Sequence, residues 1–210
     1  MKKILLGLAL SQILAAGAFA QATKPMVLPH GQKDYKLAIA GTYTLDPNHV
    51  GVVARVPHMG FSLSVFRFGT VKATLNWDPA APEKSKLTAT VQTSSIESNV
   101  VGFPEELAGP EYLKSATYPE ATFVSTAFRK TDATHGKVDG QFTLLGKTMP
   151  ISFDVTLVGA GPGFTGGPAM GHVIGIHAET AINPQQFGVS PFFVEPIQLV
   201  IDTEFDNAAK

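Results

Sequence analysis

The chain of 210 residues has no cysteine. That excludes disulfides, thiolate zinc sites, iron–sulfur clusters and a cysteine nucleophile together. Charge is also scarce: 16% of residues are charged, and Lys+Arg 16 against Asp+Glu 17 leaves a formal net charge of -1, where a soluble domain carries about 25% charged residues. A near-neutral chain cannot hold a polyanion by charge, so no nucleic-acid partner is expected. After the first twenty residues no segment approaches the roughly 20 apolar residues of a spanning helix, so no integral membrane span is expected. Internal repeats and low-complexity tracts are lacking. What remains is 44% hydrophobic residues with Gly 20 and Pro 15, too apolar for disorder and too punctuated to be mainly helical.

The first twenty residues read as an address. Met1-Lys2-Lys3 is a short positive start, Ile4 to Leu14 is an apolar run, and Ala18-Phe19-Ala20 is an A-x-A site. Together they predict a signal peptide over 1–20 with cleavage before Gln21, and a periplasmic location. Removing Lys2 and Lys3 from the 16 basic residues leaves 14 against 17 acidic ones. Residues 21–41 show no sustained period and contain Pro25, Pro29 and Gly31; they read as an N-terminal extension, packed at its apolar end. The domain proper is placed at 42–206, with a tail at 207–210.

Through that domain the sequence alternates. Val71, Ala73, Leu75 and Trp77 share one face, as do Leu87, Ala89 and Val91, then Val138, Phe142 and Leu144. Ile151, Phe153, Val155 and Leu157 form another such series, and Ile197, Leu199, Ile201 and Phe205 the last. A period of two with one polar face means strands covering a single core. Pro79–Glu83 and Leu145–Pro150 read as turns, and 104–115 as the one helical stretch. The predicted fold is all-β: an extended antiparallel barrel of about eight strands with one short helical insert, because closure removes exposed sheet edges. Such a barrel is either filled by side chains or encloses one small ligand. Small inward residues such as Ala73, Ala89 and Gly140 leave both open.

Three apparent motifs carry little. Gly161-Pro162-Gly163-Phe164-Thr165-Gly166 matches G-x-G-x-x-G, but Gly167 and Pro168 follow where a helix must start, so it reads as a hairpin loop. Gly60-Phe61-Ser62-Leu63-Ser64 lacks the closing glycine of a nucleophile elbow. Among six histidines, His172 and His177 differ by five, and His49 and His58 by nine. Odd spacing puts each pair on opposite strand faces, so no metal site is expected, nor any cofactor. His58 lies in the apolar stretch Val56–Phe61 and reads as a core histidine or as a polar anchor for a head group at the barrel mouth.

Several segments, in order, point to a known family. They are Thr42–His49 with its Asp-Pro-x-His, Val56-Pro57-His58-Met59-Gly60, Thr93–Ser98, Tyr118–Thr126, Gly140–Ile151 and Phe187-Gly188-Val189. Over about 42–206 the chain resembles the YceI-like family of bacterial proteins, which look like extended lipocalins and bind polyisoprenoid lipids. The resemblance implies a lipocalin-like barrel and an isoprenoid or other long-chain amphiphile as ligand. Val50, Val101–Leu107 and Asn183-Pro184-Gln185-Gln186 depart from the family pattern. The last two replace usual arginines, which implies fewer cations at the mouth and a neutral or quinone-like head group.

The expected lining is Phe61, Leu113, Phe123, Phe142 and Phe153, with His58 near the polar end. The expected function is a binding protein and not an enzyme. An alternative is an enzyme acting on a small lipophilic substrate, with His58, or His49 with Asp46, as an acid–base pair. A partner-binding module with a dry core is a third reading, and a homodimer paired through an exposed strand is compatible with the sequence.

Overall fold

The computed structural model describes residues 28–163 and 171–207. The signal-peptide segment, residues 21–27 of the extension, 164–166 of the glycine-rich match and the last three tail residues lie outside them.

The strands are β1 (Gly41–His58), β2 (Ser62–Phe68), β3 (Val71–Trp77), β4 (Lys86–Gln92) and β5 (Ile96–Glu97). They continue with β6 (Glu120–Lys130), β7 (His135–Leu144), β8 (Lys147–Pro162), β9 (His172–Ile182) and β10 (Ile197–Asp206). Two short helices interrupt them, α1 (Phe103–Ala108) and α2 (Pro184–Phe187). The sheet runs β10-β9-β8-β7-β6-β4-β3-β1, and β10 pairs with β1 to close an antiparallel barrel of eight strands. β2 extends the line of β3 along the second half of β1, with Val52 opposite Phe68 and Gly41 opposite Trp77.

Local sequence explains the breaks in pairing. Between Leu45 and Val50, β1 advances five residues while β10 advances from Phe205 to Thr203. Pro47 has no N–H to give to the ladder, and Asp46 accepts a bond from the Asn48 N–H at 2.8 Å, so the extra residues bulge outward. The β7–β8 hairpin turns on Leu145 and Gly146, at φ of 52° and 73°, the positive values of a type I′ turn. Leu145 adopts this conformation with its side chain buried. The turn is shorter than expected: Lys147–Pro150 already belongs to β8, with Pro150 opposite Gln141. β9 pairs with β8 only from Asp154 onward, so Pro150 sits where β8 is an edge and loses no bond.

The two barrel ends differ in construction. One end carries the β1–β2 and β7–β8 turns and the longer connections that contain α1 and α2. There Phe187, Leu107 and Val189 are buried with Leu144 and Ile182 in one cluster. The other end carries the β3–β4 and β6–β7 turns and a 3-10 turn at Tyr35–Leu37. That turn belongs to the segment read as an extension: Gln32 bridges to Ala160, and Ala38 is fully buried.

Candidate functional site: an apolar cavity inside the barrel

The barrel interior is not filled. A cavity of about 330 Å³ runs along it. Its wall is the set of alternating residues: Ala73, Leu75 and Trp77 from β3, Leu87, Ala89 and Val91 from β4, and Phe153, Val155 and Leu157 from β8. Ala73 and Ala89 stand directly opposite each other across β3 and β4, and two methyl groups there leave space that larger side chains would fill. Gly140 works differently. A Cβ at that position would meet the Phe123 ring at 2.4 Å and the Val124 carbonyl at 2.6 Å, so the glycine admits the ring. Phe123 then stands edge-on to Phe153, with centroids 5.2 Å apart, a favourable aromatic geometry.

The cavity's charged lining is confined to one end. Arg129, Lys130, Asp132, His135 and Lys137 border it there, with Tyr35 and Trp77. Most of these charges are neutralised in pairs. Arg129 donates twice to Asp139, each bond 2.6 Å, which holds the Asp139 carboxyl down at about 2. His135 and the backbone N–H groups of Thr134 and His135 bond Asp132, also lowered to about 2. Lys137 pairs with Asp154. Lys130 bonds the Tyr35 hydroxyl at 3.1 Å and lies 4.8 Å from the centre of that ring.

Of the residues expected at the site, Leu113, Phe123, Phe142 and Phe153 are on the cavity wall. Phe61 and His58 are not. Phe61 is 86% exposed in the β1–β2 turn, and His58 is exposed where it pairs with Ser62. His58 has the inward parity of Ala54 and Val56, but β10 stops pairing with β1 at Arg55. Beyond that point β1 and β2 project past the barrel as a ribbon, so an inward direction no longer meets an interior.

The mouth is also richer in cations than the departures from the family pattern implied, because Arg129, Lys130 and Lys137 reach it from β6 and β7. Asn183–Gln186 instead builds the closed end. Asn183 accepts the Gln185 N–H at 3.0 Å, α2 follows, and Phe187 is packed at 1% exposure, 5.4 Å from Phe142. Tyr35 and Lys130 were missed in the sequence. Tyr35 lies in a segment with no period, and Lys130 is an ordinary polar position at a strand end.

His49 and Asp46 do meet, with Nδ1 and Oδ2 2.7 Å apart, and Glu204 lies 3.8 Å from the same nitrogen. These three groups have metal-ligand spacing. Parity arguments between histidines missed Glu204 because it arrives from β10. The Asp46 bond and the Glu204 charge raise the His49 pKa. Burial works to raise Asp46, but bonds from His49 and Asn48 outweigh it and leave that pKa lowered. The trio sits at the β1 bulge, and none of its members borders the cavity, so this acid–base pair does not face the interior.

A closed eight-strand barrel with this interior can be set against known proteins. The YceI-like domain profile matches residues 43–205. The chain belongs to the YceI-like family. A UPF0312 protein of Pseudomonas putida (strain W619) is 34% identical over 154 residues, covering 72% of this chain and 78% of that protein. Burkholderia cenocepacia BcnA has a similar fold at TM-score 0.67 and 20% identity, over 76% of this chain and 98% of BcnA. A polyisoprenoid-binding domain from Saccharophagus degradans, implicated in plant cell wall breakdown, shares the fold at TM-score 0.54 and 12% identity, over 80% and 98% of the two chains.

Proposed function

We propose that this YceI-like protein is a periplasmic carrier or scavenger that holds the prenyl or similar chain of an amphiphile inside its barrel. The observation that carries the reading is the apolar cavity of about 330 Å³. The signal-peptide pattern of residues 1–20 and the polyisoprenoid-binding relative of like fold support it. A cavity of roughly 150 Å³ accepts benzene, so this one takes about a dozen carbons, or two to three isoprene units. At about 0.8 kcal/mol per buried methylene, that chain gains on the order of 10 kcal/mol gross. Association removes at least about 4 kcal/mol, which leaves dissociation constants on the order of tens of micromolar for the chain alone. A longer tail has to continue through the mouth or repack the wall.

Binding is the reading that the apolar interior supports, since the His49–Asp46 pair of the enzyme alternative lies at the β1 bulge and does not border the cavity. The test is to fill the space. Ala73→Phe with Ala89→Phe is expected to abolish uptake of a prenyl alcohol while circular dichroism keeps its all-β form. Undiminished uptake by the folded double variant would place the ligand elsewhere.

A further inference from the structure

The mouth contains an arrangement that the apolar cavity does not explain. Arg129, His135 and Lys137 each have a carboxylate partner, whereas Lys130 has none within ion-pair reach among the described residues. Its ammonium bonds the Tyr35 oxygen instead. Since that oxygen accepts, the phenol keeps its own proton to donate, beside the two further N–H groups of Lys130. Trp77 adjoins them, its ring edge-on to Tyr35 with centroids 6.1 Å apart. The Trp77 indole N–H is buried and has no hydrogen-bond partner among the described residues, and such a group in a native fold calls for a water, a ligand or a function. All three residues border the cavity. The cluster is rich in donors and holds no carboxylate of its own.

The geometry points to a head-group site: Lys130, Tyr35 and Trp77 receive an anionic oxygen, carboxylate or phosphate, of the amphiphile whose chain lies in the barrel. This rests on the carrier reading and gives it a polarity, tail toward α1 and α2, head at the β6–β7 end. Tyr35 thus contacts both other members of the cluster. The turn that bears it is held by the fully buried Ala38 and the Gln32–Ala160 bridge. Tyr35 precedes the family match at 43–205.

Trp77 is the single tryptophan, so its fluorescence reports from the site itself. Geraniol, geranic acid and geranyl monophosphate carry one ten-carbon chain with a neutral head, a carboxylate and a phosphate. The acid and the phosphate ester are expected to bind about tenfold tighter than the alcohol and to shift the Trp77 emission more. Lys130→Met is expected to remove that preference and leave geraniol affinity unchanged, and Tyr35→Phe to remove part of it. Equal binding of the three by the wild-type protein, or a preference that survives in Lys130→Met, would overturn the head-group site and leave the carrier reading in place. Inorganic phosphate binding as tightly as the ester would also overturn it, by showing a free-anion site. Failure of all three prenyl compounds to bind would instead contradict the carrier reading beneath it.

Discussion

The two ends of the barrel solve opposite problems with different residues. At the α1/α2 end, Phe187 and Leu107 sit at 1% and 4% exposure, packed in one apolar cluster with Leu144, Ile182 and Val189. At the β6–β7 end the wall finishes in Arg129, Lys130, His135 and Lys137, held by aspartates or by Tyr35. An apolar plug is stable because it removes surface from water. A ring of ion pairs excludes little water and can be opened at small cost. The contrast gives an apolar tube a direction, with a fixed floor and a polar rim.

The comparison can be broken most severely at the floor. Phe187→Ala removes a fully buried ring that packs on Phe142 and is expected to cost about 3–5 kcal/mol in urea unfolding. A loss under about 1 kcal/mol would mean that α2 does not seal the barrel. At the mouth, Tyr35→Ala removes an edge-on contact with Trp77 and the exposed contacts with Lys130 and is expected to cost only about 1–2 kcal/mol. A cost equal to that of Phe187→Ala would erase the distinction between floor and rim.

The rim pairs make smaller predictions, read by carboxyl NMR. The Arg129 bond holds Asp139 at about 2, so Arg129→Met should raise its midpoint toward the ordinary aspartate value of about 3.9. A carboxylate lowered by folding contributes stability above its unfolded pKa, and loses it as pH falls through the folded one. The pair therefore acts above about pH 4 and fades toward pH 2. The smallest effect is at the outer bulge. Folding raises the His49 pKa, so its contribution is complete below the ordinary histidine value and disappears as pH rises through the raised one. Asp46→Asn should shift the His49 titration down in an imidazole NMR series, with uptake of a prenyl alcohol unchanged. A loss of uptake would tie the bulge to the cavity after all.

Much of the barrel was legible because its wall is a period-two record. Val71, Ala73, Leu75 and Trp77, and their counterparts on β4, β8 and β10, face inward as the alternation predicts. Phe123, Phe142 and Phe153 stand on the same wall. The residues expected on the wall but found off it lie where period stops being informative. His58 keeps the correct parity but stands past the last residue of β1 that pairs with β10. Phe61 falls in a turn, where alternation has no meaning. Tyr35 comes from an aperiodic segment fixed by one bridge and a buried alanine, and no local pattern marks it. Glu204 and His49 are far apart in sequence and meet only because β10 closes on β1.

The most direct test of the central claim is native mass spectrometry of the protein purified from its own cells without detergent, followed by solvent extraction of whatever it carries. The account predicts a discrete excess mass that extracts as a prenyl or fatty chain and is absent from Ala73→Phe with Ala89→Phe. A bare mass that stays bare after incubation with prenyl alcohols, acids and phosphates would contradict it.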